Sequence, residues 1–193
     1  MSVAAALGAA DVHVQDRYLD AAQVNALLEC VLARRALGGF HEAKVGSQQN
    51  LRRDAQVRGD ATCWLSEPLY PAERQLLQRL EELRLALNRD LLLGLFDLEL
   101  HYAWYPPGMA YERHLDQPLG TSRRQVSLVL YLNEAWSSDA GGELRFYEKD
   151  GTQRDIAPLG GRLVCFRTPG REHGVLPADR DRFSVSGWFR LRG

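Results

Sequence analysis

The order of elements in this chain predicts an α+β fold, with helices first and the strands in an antiparallel sandwich or barrel. Two observations carry the prediction. Apolar residues recur at helical spacing through the first half. After Gly94 the pattern switches to alternation, in short runs separated by turn residues. Size and composition agree: 193 residues, 45% of them hydrophobic and 25% charged, are most simply one globular domain with a real core. We expect a helical cover over about residues 15–93 and a strand core over about 95–192.

The first predicted helix lies in "YLDAAQVNALLECVLARRALGG". Asp20 is a plausible N-cap, Val24, Leu27, Leu28, Val31 and Leu32 follow at helical spacing, and Gly38-Gly39 ends the run. The stretch from Phe40 to Gly59 is polar, mixed in charge and without a period, so a long loop or a loosely ordered strand pair is expected. A second helix lies in "YPAERQLLQRLEELRLALNRDLLLG", with Pro71 in its first turn and Leu76, Leu77, Leu80, Leu83 and Leu87 as its apolar stripe. Both helices read as covers for a core.

The strands follow. "FDLELHYAWY" alternates, and so does "RQVSLVLYLN", with Val126, Leu128, Leu130 and Leu132 on one face and Ser127, Val129, Tyr131 and Asn133 on the other. "GELRFYEKDGTQRDI" reads as a hairpin turning at Asp150-Gly151. "GRLVCFRTP" is a short buried strand. "RFSVSGWFRL" puts Phe183, Val185 and Phe189 on one face and Arg182, Ser184, Ser186 and Trp188 on the other. That second face is either solvent-exposed or the wall of a polar cavity with Arg182 at its floor.

Composition excludes several functions. Net charge is −1 with no run of Lys or Arg, which argues against a nucleic-acid partner. No apolar run approaches a membrane span. The N-terminal "MSVAAALGAADVHVQD" has no basic segment before its apolar stretch and reads poorly as a signal peptide. Cys30, Cys63 and Cys165 are odd in number and far apart, so reduced thiols in a cytoplasmic protein are expected. A monomer is the expected state.

"YERHLDQP" places His114 and Asp116 two residues apart. With five His in the chain a chance His-x-Asp is common, so the pair alone is weak evidence for a metal. A third ligand must come from elsewhere. His13 lies near the N-terminus, His41 in the polar stretch, and His101 inside a strand, where a satisfied, half-buried imidazole is the expected reading. His173 follows the turn "RTPGRE" and opens "HGVLP". Two imidazoles and one carboxylate would make the facial triad of a non-haem Fe(II) oxygenase, which leaves three adjacent coordination positions open. A 2-oxo acid can take two and dioxygen the third. The distal carboxylate of 2-oxoglutarate would need a cation, and Arg182 suits it, because its planar fork matches a carboxylate and stays charged.

The motifs "YPPGMAYERHLD", "RRQVSLVLYLNEAW", "GGELRFY", "GRLVCF" and "HGVLPADRDRFSVSGWF" follow one another in an order that resembles the Fe(II)/2-oxoglutarate-dependent prolyl hydroxylases, most of all the hypoxia-type (EGL-nine-like) enzymes and their bacterial relatives. "RGDATCW", Arg58 to Trp64, resembles a stretch upstream of their catalytic core. The likeness covers roughly residues 58–190. It implies a double-stranded β-helix, a jelly-roll barrel with the metal at its mouth. It implies Fe(II) as cofactor, 2-oxoglutarate and O2 as cosubstrates, and 4-hydroxylation of a proline in a protein substrate.

Residue by residue, the resemblance gives His114, Asp116 and His173 as metal ligands and Arg182 as the grip on the distal carboxylate of 2-oxoglutarate. Arg180, in "ADRDR", fits the strand parity less well. Tyr131 matches a Tyr whose hydroxyl meets the same carboxylate, and Tyr105 one near 2-oxoglutarate and iron, although the loop after Tyr105 is one residue shorter here. Leu144, Ser186 and Trp188 match pocket-lining positions, with Trp188 on the substrate side. Tyr111 and Arg124 match residues at the substrate entrance. "HGV" departs from the common "HEV" beside the ligand. Two other readings compete: an oxygenase of the same chemistry acting on a free amino acid, another side chain or a small metabolite, and a non-catalytic metal-binding interaction module. The intact set His114, Asp116, His173 and Arg182 argues against the module, and a carboxylate at 116 argues against a halogenase. Residues 40–60 are expected to form a lid over bound substrate, with Arg52, Arg53 and Arg58 facing it.

Overall fold

The computed structural model describes residues 3–44, 54, 56–117 and 123–192. In chain order the elements are α1 (Val3–Ala9), β1 (Val12–Gln15), α2 (Ala21–Ala36), β2 (His41–Glu42), β3 (Ala61–Trp64), α3 (Pro71–Leu91), β4 (Leu95–Tyr105), β5 (Tyr111–His114), β6 (Arg124–Tyr131), β7 (Leu144–Tyr147), β8 (Gln153–Ile156), β9 (Leu163–Arg167), β10 (His173–Val175) and β11 (Arg182–Leu191). The strands form two antiparallel sheets: a larger one in the order β1-β9-β6-β11-β4-β3-β2 and a smaller one in the order β5-β10-β7-β8.

The two main helices form where the spacing places them. Asp20 caps α2 through a reciprocal pair with Gln23: each side chain bonds the other's backbone N–H, at 2.9 and 3.1 Å. Pro71 opens α3, where its missing N–H costs nothing, and Leu92 closes it in the left-handed region. Leu76, Leu80, Leu83 and Leu87 bury their stripe against one face of the larger sheet, where Val126, Leu128, Leu130, Val185 and Phe189 meet them. Each fully buried side chain of this size contributes about 1.5–3 kcal/mol.

The first part of the chain is less purely helical than expected. β1 adds an edge strand beside β9, and β2 and β3 extend the other edge beside β4. The stretch after Phe40 is therefore partly a strand pair, β2 with β3. Residues 45–53 and 55, which include Arg52 and Arg53 of the expected lid, lie outside the described residues.

Glu73 is a second departure. It sits in the first turn of α3, yet it is fully buried. Both its oxygens accept from Arg34 of α2 at 2.7 Å, Tyr102 Oη of β4 donates at 3.1 Å, and the Tyr70 N–H at 2.9 Å. Burial works against its charge, but Arg34, the Tyr70 N–H and the Tyr102 hydroxyl together outweigh it and hold the carboxyl below its ordinary range. One carboxylate thus ties α2, α3 and β4 together.

β11 is hydrogen-bonded on both sides, to β4 and to β6. Its Phe183, Val185 and Phe189 join the helix-covered core. The opposite face is not solvated: Arg182 and Ser184 are each 1% exposed. It looks into the space between the sheets, where Tyr105, Tyr131, Leu144, Phe146 and Phe166 form a second cluster. Among the described residues, no helix is long and apolar enough to cross a membrane.

Candidate active site

The smaller sheet brings two imidazoles together. β5 and β10 pair so that His114 lies directly across from His173. Directly opposed residues project to the same side of a sheet, and the two ring centroids are 4.3 Å apart. Asp116 follows two residues after the end of β5, and its Oδ1 lies 3.6 Å from His114 Nε2 and 3.5 Å from His173 Nε2. The three donor atoms fall within 4.8 Å of one another. His114 Nδ1 sits 2.7 Å from the Glu112 carbonyl and His173 Nδ1 3.0 Å from the Arg171 carbonyl. A carbonyl accepts only, so each Nδ1 carries the proton and each Nε2 offers its lone pair inward. Two imidazole nitrogens and one carboxylate oxygen, with one side open to the cavity, fit a non-haem Fe(II) centre.

The electrostatics suit a cation. Burial opposes the charge on Asp116, but His173 and His114 beside it hold its carboxyl well below the usual range. Burial lowers the pKa of His114, whereas at His173 the Asp116 charge overcomes burial and raises it. Asp116 is further anchored from outside: Ser127 Oγ donates to its Oδ2 at 2.7 Å, and Arg124 Nη1 donates to its backbone carbonyl at 2.9 Å.

The cavity behind these ligands has a volume of about 600 Å³. Its floor is Arg182, whose Nε donates to the Gly142 carbonyl at 2.8 Å, while its buried Nη2 has no hydrogen-bond partner among the described residues. The Tyr131 hydroxyl, beside that guanidinium, is also buried and has no hydrogen-bond partner of good geometry among the described residues. The guanidinium carbon lies 5.1 Å from the rings of both Tyr131 and Tyr105, and Tyr105 is the cross-strand partner of Arg182 in the β4–β11 ladder. Burial pushes both phenols up, so they are neutral donors at physiological pH. An unpaired guanidinium N–H beside an unpaired phenol O–H fits the distal carboxylate of 2-oxoglutarate. Leu144 and Ser186 line the walls. Arg180 instead reaches the Ala135 carbonyl at 3.2 Å and lies over Trp136, away from the cavity lining.

At the mouth, the Tyr111 ring stacks on His114 at 3.5 Å with 11° between the planes, and the Arg58 guanidinium lies 4.6 Å from the same ring's centroid. Arg58 is held by Asp60 through two bonds of 2.7 and 3.0 Å. On the opposite side Arg124 lies 3.6 Å over Trp188 and binds Glu99 at 2.9 Å. The metal, 2-oxoglutarate and entrance residues named from sequence all line this cavity except Tyr131, which packs beside Arg182.

Of the lining residues not singled out as site residues, three bear most on the site's shape and chemistry. Asp60 holds Arg58, and half-exposed Trp64 forms part of the rim. His101 was expected to be half-buried and satisfied. It is 3% exposed, stacked on Trp188 at 5.4 Å and packed at a tilt against Trp64 at 4.9 Å, and its Nδ1 has no partner among the described residues. Burial lowers its pKa to about 4, so it is neutral at pH 7. Alternation along β4 places its side chain on the same face as Ala103 and Tyr105; what it could not show was the pair of indoles that helps to desolvate it. His13 in β1 and His41 in β2 are not among the lining residues.

Comparisons with known proteins agree with this geometry. Residues 100–190 match the family model of the 2OG-Fe(II) oxygenase superfamily. Egl nine homolog 1 of Homo sapiens is 30% identical over 169 residues, which are 82% of this chain and 39% of that protein. The chain thus spans less than half the length of the Egl nine relatives it matches. A prolyl-4-hydroxylase crystal structure from Pseudomonas putida superposes with a TM-score of 0.89 at 40% identity, covering 99% of this chain and 98% of that one. A Trichoplax adhaerens prolyl hydroxylase, in complex with a hypoxia inducible factor oxygen degradation domain peptide, superposes with a TM-score of 0.87 at 26% identity, covering 97% and 87%. With the His-x-Asp…His set converged at the mouth of a double-stranded β-helix, the chain belongs to the prolyl hydroxylase family of the 2OG-Fe(II) oxygenase superfamily.

Proposed function

We propose that this protein is an Fe(II)- and 2-oxoglutarate-dependent dioxygenase that hydroxylates a prolyl residue, at its 4-position, within a protein substrate. The observation that carries the reading is the pairing of two incomplete sites in one cavity: three inward-facing donor atoms at the mouth and an unsatisfied Arg182–Tyr131 pair at the floor. Bound there, Fe(II) with 2-oxoglutarate and dioxygen supplies the oxidising chemistry that turns a C–H into a C–OH as 2-oxoglutarate becomes succinate and CO2.

The chain's own residues orient and enclose. His114, Asp116 and His173 hold the metal and leave its other side open to the cavity. Arg182, with Tyr131 and Tyr105 beside it, fixes the far carboxylate of 2-oxoglutarate, so the cosubstrate enters with its 2-oxo acid end toward the ligands. Leu144 and Ser186 set the width of the channel. Trp188, Tyr111, Arg124 and Arg58 frame the entrance. The rim also carries exposed Trp64 and Leu115, apolar surface that suits a polypeptide better than a small polar metabolite. The 4-position is supported by the likeness to the P. putida prolyl-4-hydroxylase.

The test is mass spectrometry of a cell lysate incubated with the purified protein, Fe(II) and 2-oxoglutarate. Prolines that gain one oxygen atom only when all three are present support the proposal. A gain confined to free amino acids or to other side chains would overturn it.

A further inference from the structure

Asp116 has two oxygens, and the fold treats them differently. Oδ1 faces both His Nε2 atoms, while Oδ2 turns away to accept from Ser127 Oγ at 2.7 Å. Ser127 Oγ also lies 2.9 Å from Thr168 Oγ1. Ser127 is 1% exposed and Thr168 fully buried, so water does not compete at either hydroxyl.

A proton count fixes the direction of this chain. The carboxylate only accepts. Ser127 has one hydroxyl proton, and it goes to Asp116. The contact between the two hydroxyls then requires the Thr168 proton, so Thr168 donates to Ser127, which donates to Asp116. The chain is also anchored at its far end. Thr168 directly follows β9, and its backbone N–H donates to the Gln125 carbonyl at 3.0 Å, two residues before Ser127 in β6. The turn that begins at Thr168 delivers His173 five residues later. The relay therefore joins the segments that carry two of the three ligands.

We infer that Thr168 and Ser127 are positioning residues that hold Asp116 in a one-oxygen binding mode. A carboxylate free to turn about its last torsion can present both oxygens to a cation. That would take a coordination position the cosubstrates need. A directed hydrogen bond to Oδ2 removes that freedom and leaves Oδ1 alone pointing inward. Partners of this kind behind a ligand typically matter by about 10- to 100-fold in metal affinity.

This inference rests on the metal-site reading above, and one titration separates the two. Metal-stripped full chain is titrated with Mn(II), which is stable in air, and free Mn(II) is counted by electron paramagnetic resonance. Wild type, Ser127→Ala, Thr168→Val and Thr168→Ser are compared, each checked for a cooperative thermal transition. Thr168→Val keeps the shape and deletes the hydroxyl; Thr168→Ser keeps the hydroxyl and deletes a methyl. Ser127→Ala and Thr168→Val are expected to weaken Mn(II) by about 10- to 100-fold, and Thr168→Ser to stay close to wild type. The spectrum of bound Mn(II) should also change in the first two, because the coordination changes. Wild-type affinity in both Thr168→Val and Ser127→Ala would overturn the inference, as would Thr168→Ser binding as poorly as Thr168→Val, since packing would then be the cause. Failure of wild type to bind Mn(II) would overturn the metal-site reading itself.

Discussion

Replacing Arg182 by alanine should raise the 2-oxoglutarate requirement steeply while leaving the metal site intact. Arg182 is 1% exposed and held in place by its Nε bond to the Gly142 carbonyl, so its free Nη2 points in a fixed direction before cosubstrate arrives. Truncating one partner of a buried, hydrogen-bonded charge pair costs about 2–5 kcal/mol, or roughly thirty- to several-thousand-fold in affinity. The lower part of that range would apply if Tyr131 keeps part of the contact through its own free hydroxyl. The assay is the KM for 2-oxoglutarate from succinate release, with Mn(II) affinity measured alongside. Arg182→Met separates binding from folding. It keeps much of the apolar bulk and removes a buried guanidinium with an unsatisfied N–H, so it should bind 2-oxoglutarate as poorly as the alanine variant while losing little thermal stability. Added 2-oxoglutarate at a hundredfold excess over its Kd should stabilise wild type by about 2.7 kcal/mol and leave both variants unmoved. Arg180→Ala should behave as wild type. A KM in Arg182→Ala within a few-fold of wild type, or a large effect confined to Arg180→Ala, would refute the assignment of the cavity floor.

Alanine at His114, Asp116 or His173 removes one of the three protein ligands, so each should abolish hydroxylation coupled to succinate release; retained activity in any one would remove it from the set. Gly142→Ala places a Cβ 3.2 Å from Arg182 Cδ and 3.1 Å from Ala178 Cβ, at a φ of +75° that disfavours side chains. It should cost about 1–3 kcal/mol of stability and also raise the KM for 2-oxoglutarate, and a variant that melts lower with unchanged KM would show that the guanidinium does not feel this position. Glu73→Ala leaves Arg34 without its buried partner and should lose about 3–5 kcal/mol in urea unfolding. Because the folded carboxyl of Glu73 titrates below its ordinary value of 4.5, its contribution is present above that pH and is lost as pH falls below it through the folded value. Glu73→Gln should therefore flatten stability against pH in that acid window, and an unchanged profile would show the pair contributes nothing there.

How far this could be read from sequence depends on the range of the interaction. The paired faces of β6 and β11 follow from alternation, because both strands run eight or more residues between two buried surfaces. Parity puts Arg182 and Tyr131 on the faces opposite the apolar rows, but it does not tell a solvent face from a cavity wall. β1 could not: "VHVQ" is four residues at a sheet edge, too short to show a period. β5 is equally short and owes its form to β10, sixty residues on. Glu73 looks like an ordinary first-turn acid; only the packing of α2 on α3 brings Arg34 to it, across 39 positions of sequence. The outward support of Asp116 was hidden for a like reason. Ser127 could be put on the inward face of its strand, but its link to Thr168 spans 41 positions.

The two halves of the site rest on strands of very different standing. β11, which carries Arg182, Ser186 and Trp188, is paired over its length with neighbours on both sides. β5, which carries His114, is the four-residue edge of the smaller sheet, flanked beyond β10, among the described residues, by an isolated bridge at Arg58–Tyr111 with short links such as Glu112 N–H to the Val57 carbonyl and Gly59 N–H to the Ala110 carbonyl. Local opening should therefore begin at β5 and reach β11 only when the whole sheet comes apart. Amide hydrogen exchange would then be fast across Tyr111–His114 and slow across Arg182–Leu191 in metal-free protein. Metal, by bridging β5 to β10 through their imidazoles, would protect the first segment far more than the second. The cosubstrate end would be a standing feature of the fold, and the metal end a latch that closes upon it.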